Sequence, residues 1–159
     1  MLIVIQGVNW DVTTEYSPPG VEVDALFLAN GAEVPPNGLV YVTGGGWSRC
    51  WPNAEPGYPY ERMIPVVAIF RVPWTETNQQ HAFRIVVQDA DNRTLASGGG
   101  AFNAGRQPDL TDGASQVVVV ALAIPARLDK PGLYSVVAEL DEFEKKRIQF
   151  EAIAHQRSR

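Results

Sequence analysis

Cysteine is nearly absent. Cys50 is the only one in 159 residues, so no internal disulfide can form, and a reducing compartment is permitted. Histidine is almost as scarce, with His81 and His155 alone. A nucleophile needs a base beside it, and no nucleophile-elbow pattern accompanies these residues, so Cys50 reads as an incidental thiol and no enzyme is expected. Long apolar runs are missing too: the opening Met1–Ile5 has no basic flank and stops at Gln6. That is too short for a signal peptide or a membrane span, which points to a cytoplasmic chain with no membrane partner. No window makes a convincing amphipathic helix, because Pro or Gly interrupts most candidates. Basic charge is thin at the start. Residues 1–60 carry Asp11, Glu15, Glu22, Asp24, Glu33 and Glu55 against Arg49 alone, within a net charge of −5. An acidic leading third disfavours nucleic acid as a partner.

What is present is alternation. In Asp129–Leu140, Pro131-Gly132 makes a turn, after which Tyr134, Val136, Ala138 and Leu140 share one face and Ser135, Val137 and Glu139 the other. A charged reversal, Glu142–Lys146, leads into Ile148, Phe150 and Ala152, with Arg147, Gln149 and Glu151 opposed. A turn, a strand with Tyr near its start and a closing strand resemble the end of an immunoglobulin-like sandwich, including its tyrosine corner.

Taken from the start, Leu2–Val8 reads as a short strand in a polar arm that runs to Pro18-Pro19-Gly20. Asp24–Val34 is strand-like, Pro35-Pro36-Asn37-Gly38 turns, and Leu39–Thr43 returns. Residues 47–61 hold four large aromatics and three prolines without a strand or helix period, the pattern of a long structured loop. Ile64–Val72 is apolar on both faces, as in a central strand, and Pro73 stops it. A strand at Phe83–Gln88 turns through Asp89-Ala-Asp-Asn92 into Arg93–Ala96, and Gly98-Gly-Gly100 breaks the pattern. A loop spans residues 103–115, and Gln116–Ile124 is the most apolar strand, ended by Pro125. The expected fold is an all-β antiparallel immunoglobulin-like sandwich of about eight or nine strands. Residues 1–20 form an N-terminal arm, 21–154 the sandwich and 155–159 a basic tail.

Candidate chemistry is sparse. Asp89, Asp91 and Asn92 open like a calcium loop but lack its Gly and bidentate Glu, and Asx bonding to the backbone explains them, so no metal site is expected. The acidic residues from Glu139 to Glu144 alternate with Lys145, Lys146 and Arg147, as at a solvated hairpin tip. Neither glycine triplet opens a helix, so neither is a phosphate loop, and close backbone approach accounts for them. Trp47, Trp51, Tyr58 and Tyr60 are the binding candidates: their rings could line a platform for sugar or peptide, or fold inward as a small core.

From Asp24 onward the chain resembles an uncharacterised family of small bacterial β-sandwich proteins. Asp24-Ala-Leu-Phe-Leu-Ala-Asn30, Val42-Thr-Gly-Gly-Gly-Trp47, the Asp89 turn and Pro131-Gly-Leu-Tyr134 carry the likeness. It implies a fold and no chemistry. Residues 1–20 depart from it as an addition, and Glu142-Phe143 stands where a turn Gly is usual, which leaves Phe143 exposed. The expected function is a non-catalytic module working through a protein partner or self-association, without cofactors. Its contact surfaces would be the arm, the aromatic loop and any open sheet edge. A small-ligand or carbohydrate-binding domain is the alternative.

Overall fold

Period-two patterning recurs along the chain, and strands follow from it. The computed structural model describes residues 20–53 and 57–154. Among these are ten strands, one 3-10 turn (Trp74–Glu76) and no α-helix. The strands are β1 Glu22–Leu28, β2 Gly31–Glu33, β3 Tyr41–Thr43, β4 Arg49–Cys50, β5 Tyr60–Val72, β6 Gln80–Gln88, β7 Thr94–Asn103, β8 Gln116–Leu128, β9 Gly132–Leu140 and β10 Phe143–Ala152. The strands not anticipated are β2, split off from the expected Asp24–Val34 strand, and β4, within the stretch read as a loop, each two or three residues long.

Three sheets result, ordered β1-β5-β8, β4-β10-β9-β6-β7 and β2-β3. Every pairing is antiparallel except the short β4–β10 contact. The two larger sheets enclose one core, with Ile64, Val66 and Phe70 of β5 and Ile124 and Leu128 of β8 meeting Ile85, Val87, Val136 and Phe150. The β2–β3 hairpin belongs to neither. It lies on the outer side of the three-stranded sheet, against β5 and β8.

Tyr134 is buried, and its hydroxyl donates to the Lys130 carbonyl at 2.7 Å. That is the back-bond expected of a tyrosine corner. Phe143 is 70% exposed, as its place beside the turn implied. Asp141 and Glu142 both take positive φ (48° and 71°), so two non-glycine residues make the tight turn between β9 and β10.

Several boundaries differ from the sequence reading. Pro125 does not end β8, and β5 runs through Pro65. The Pro65 carbonyl accepts the Ala29 N–H at 3.0 Å, so its missing N–H also points toward β1, beyond the last paired residue, Leu28. Pro65 therefore faces Ala123 across a non-hydrogen-bonded position, and Pro125, two residues on, turns its nitrogen to the open side of β8. Gly98–Gly100 do not break β7 either; they stay paired to β6 throughout. A Cβ on Gly98 would sit 2.8 Å from Leu122 Cδ1 of the facing sheet, and one on Gly99 would strike the Phe83 carbonyl. The missing side chain at Gly98 lets the facing sheet come close, and that at Gly99 leaves room for the neighbouring strand β6. Asp24–Val34 is not one strand: the chain leaves the sheet at Asn30, whose N–H bonds Thr43 of the hairpin. The arm with its Leu2–Val8 strand, the basic tail and His155 lie outside the described residues.

Candidate functional site

The aromatic segment is built on three anchors. After the glycines at 44–46, the Gly46 N–H bonds the Leu28 carbonyl at 2.7 Å. A Cβ on Gly45 would lie 2.9 Å from Val42 Cγ1 and against the Phe27 ring, so this turn tolerates little but glycine. It delivers Trp47 edge-on to Phe150, with centroids 5.6 Å apart at 79°, and Phe150 stacks on Tyr134 at 5.6 Å and 18°. The second anchor is β4, which runs beside the end of β10 while Arg49 pairs with Glu151 at 3.2 Å. The third is Tyr58, whose hydroxyl donates to the Ile153 carbonyl at 2.7 Å and whose ring meets Tyr60 edge-on. Burial pushes the Tyr58 phenol up to about 12.

The loop is thus shorter than 47–61, because β4 and the first residues of β5 lie within that stretch. Trp47, Tyr58 and Tyr60 lean on the core, and Trp51 stands 52% exposed. The four candidates converge on one end of the sandwich but make no coplanar platform. What flanks them was not legible in sequence. The Arg62 guanidinium lies 4.5 Å over the Trp47 ring and 5.9 Å from that of Tyr60. Trp47, Arg49, Trp51, Asn53 and Arg62 line an open cleft of about 380 Å³ with Cys50 at its floor. Burial raises the Cys50 thiol pKa, with Arg62 acting against it. A second cleft of about 480 Å³, lined by Glu61, Arg62, Met63, Pro125 and Arg127, adjoins the first through Arg62.

A separate titratable group sits elsewhere. The strand expected at Phe83–Gln88 begins earlier, at Gln80, so His81 lies within β6, 4% exposed. Its Nδ1 is 3.1 Å from Asp141 Oδ2 and its Nε2 is 3.0 Å from the Glu76 carbonyl. Both neighbours are acceptors, so the ring makes both bonds only when doubly protonated. Burial pulls the His81 pKa down, but the Glu76 carbonyl and the Asp141 carboxylate more than reverse this, leaving it raised. Burial pushes Asp141 up, and the His81 and Ala82 N–H bonds outweigh it, leaving its pKa lowered. Asp141 is therefore more than part of a solvated tip: it fastens the β9–β10 turn to β6 through His81 and Ala82, while the other ring nitrogen of His81 holds the 3-10 turn. Asp89 does what its turn position implied, accepting from the Asp91 and Arg93 N–H groups at 3.0 and 2.9 Å. Among the described residues, no three His, Cys, Asp or Glu converge on a point, and no helix is long and apolar enough to cross a membrane.

The architecture defines an all-β chain of two facing, mainly antiparallel sheets, with a mixed aromatic and basic surface at one end. Residues 24–153 match the family of unknown function DUF6941, and the chain belongs to that family. No curated protein matches it.

Proposed function

We propose that the chain is a non-catalytic, immunoglobulin-like β-sandwich of a bacterial cytoplasm that works by contact with a protein partner. The observation that carries this reading is the pair of adjoining clefts sharing Arg62. They expose Trp51 and Met63, each 52% accessible, among Arg49, Arg62 and Arg127. Tryptophan and arginine are the residues in which protein interfaces concentrate their binding energy, and two shallow adjoining hollows suit side chains better than a small ligand needing enclosure. The tyrosine corner supports the immunoglobulin-like topology.

The test uses one variant in each cleft, Trp51→Ala and Met63→Ser, as immobilised baits beside the wild-type chain in lysate of the native host. A protein held by the wild type and lost from both variants, at equal folded content, is the expected result. Identical retained proteins for all three baits would overturn the assignment of this surface.

A second reading, a small-ligand or carbohydrate site, is favoured by the exposed Trp51 ring beside the 380 Å³ cleft. A sugar that quenches tryptophan fluorescence in the wild type and not in Trp51→Ala would support it.

A further inference from the structure

β8 has a strand on one side only among the described residues. The Pro65 geometry sets which of its backbone groups are unpaired. Ala123 stands opposite Pro65 with its N–H and C=O turned away from β5, and alternation puts Val117, Val119 and Ala121 in the same state. Pro125, next in that series, has no N–H and ends it. Edge strands are normally guarded by charge, yet from Gln116 to Ala126 β8 carries none. Val117 is 60% exposed and Ala123 is exposed. Four open-side amides in an uncharged strand are a template for another strand.

The geometry points to the chain's own residues Leu2–Val8 as that strand, paired antiparallel to β8 over Val117–Ala123. The match in length is close: seven residues against seven, with Pro125 just beyond. The match in character is as good, because Leu2-Ile-Val-Ile5 is apolar and uncharged. Position favours the chain's own segment over a second copy. β1 and β8 are each antiparallel to β5, hence parallel to one another, and Glu22, Arg71 and Val117 stand in one row. Gly20 therefore lies at the start of β8, where Gly20 and Ser115 line the same small hollow. An antiparallel strand on β8 leaves at this end. The crossing back to β1 covers three strand spacings, roughly 14 Å. Residues 9–19 can reach about 36 Å when extended. The connection fits with slack for Pro18-Pro19.

This inference does not depend on the partner surface proposed above, and its test shares no variant with it. Amide hydrogen exchange in the full chain is expected to show Val117, Val119, Ala121 and Ala123 slowed by ~100-fold or more, independent of protein concentration. In Ile3→Pro/Val4→Pro, which removes an amide of each alternation class, those four lose protection. Val118, Val120 and Leu122, bonded to β5, keep theirs. Ala121→Pro is the second variant: its lost N–H lies on the open side, so the β5 ladder stays intact and the amides of residues 3–8 exchange as in a free chain. Unprotected edge amides in the wild type overturn the inference. So does protection indifferent to either variant. Protection that rises with concentration alongside a doubled mass would assign the edge to a second copy instead.

Discussion

The two large sheets share one core but present opposite outer faces. On the five-stranded sheet, Arg84, Gln88, Glu139 and Arg147 look outward around Val86 and Val137, which share that face and are 1% exposed, and Arg84 lies 3.7 Å from Glu139. Arg147 crosses from β10 over β9 to reach Gln88 at 3.0 Å and pairs with Glu144 at 2.8 Å. On the three-stranded sheet, the outward positions of β5 and β8 carry charge only toward the ends, at Glu61, Arg127 and Arg71, and are otherwise apolar: Met63, Pro65, Val67, Ile69, Val117, Val119, Ala121, Ala123 and Pro125. The hairpin buries the middle of this face, leaving Val67 at 0% exposure, while Val117 and Met63 at its two ends stay open. One face shields its two central valines with its own long polar side chains. The other has its apolar centre covered by the hairpin, with charge at its ends.

The largest effect that sharpens this contrast is at Val67. Val67→Asp places a charge beneath the hairpin, and we expect a loss of about 3–5 kcal/mol in urea unfolding. Arg84→Ala, on the other outer face, is expected to change stability by under about 0.5 kcal/mol. Similar costs at the two sites would erase the distinction.

Next in size is the His81 clamp at the rim of the five-stranded sheet. His81→Gln should cost about 1.5–3 kcal/mol near pH 6, the range for hydrogen bonds to a charged group. A raised histidine pKa stabilises fully below the unfolded value of about 6.5, and the gain fades as pH rises through the folded value. The lowered Asp141 pKa stabilises above about 3.9, and that gain fades as pH falls. The wild type should therefore gain most between roughly pH 4 and 6.5, and urea midpoints of wild type and variant should converge toward pH 9. Parallel pH profiles would show that the clamp is not ionic.

Tyr134→Phe removes one buried hydroxyl and should cost about 1–2 kcal/mol. A change under about 0.3 kcal/mol would mean that the corner bond is incidental and the immunoglobulin-like comparison weak. Smallest in stability is Val117→Lys, within about 0.5 kcal/mol. With the β8 edge paired within the chain as proposed, it should also leave concentration-dependent light scattering unchanged. Scattering that falls in the variant would mean that the edge is open and sticky in the wild type.

The strands themselves were readable because alternation is local. Val136, Ala138 and Leu140 announce their buried face from a nine-residue window, and Pro131-Gly132 before Tyr134 was enough to anticipate the phenol's bond to Lys130. The aromatic candidates were legible as composition, but their sorting was not. That Trp47 packs on Phe150 depends on a partner 103 residues away, and Trp51, four residues on, is left facing water. Arg62 gave no signal, because a cation becomes part of a site only through the rings it lies against.

By itself the sequence determined most of the strand content, the turn chemistry at Asp89 and Pro131, and the core-facing side of the alternating strands such as β9, since all follow from near neighbours. The tertiary structure alone decided which sheet each strand joins, and with that which way a backbone nitrogen points. That is why Pro125 lies within a strand rather than at its end, and why Gly98 admits the facing sheet rather than interrupting its own. It also decided that His81 meets Asp141 across 60 residues. Pairing is a property of two segments at once, and no window along one of them contains it.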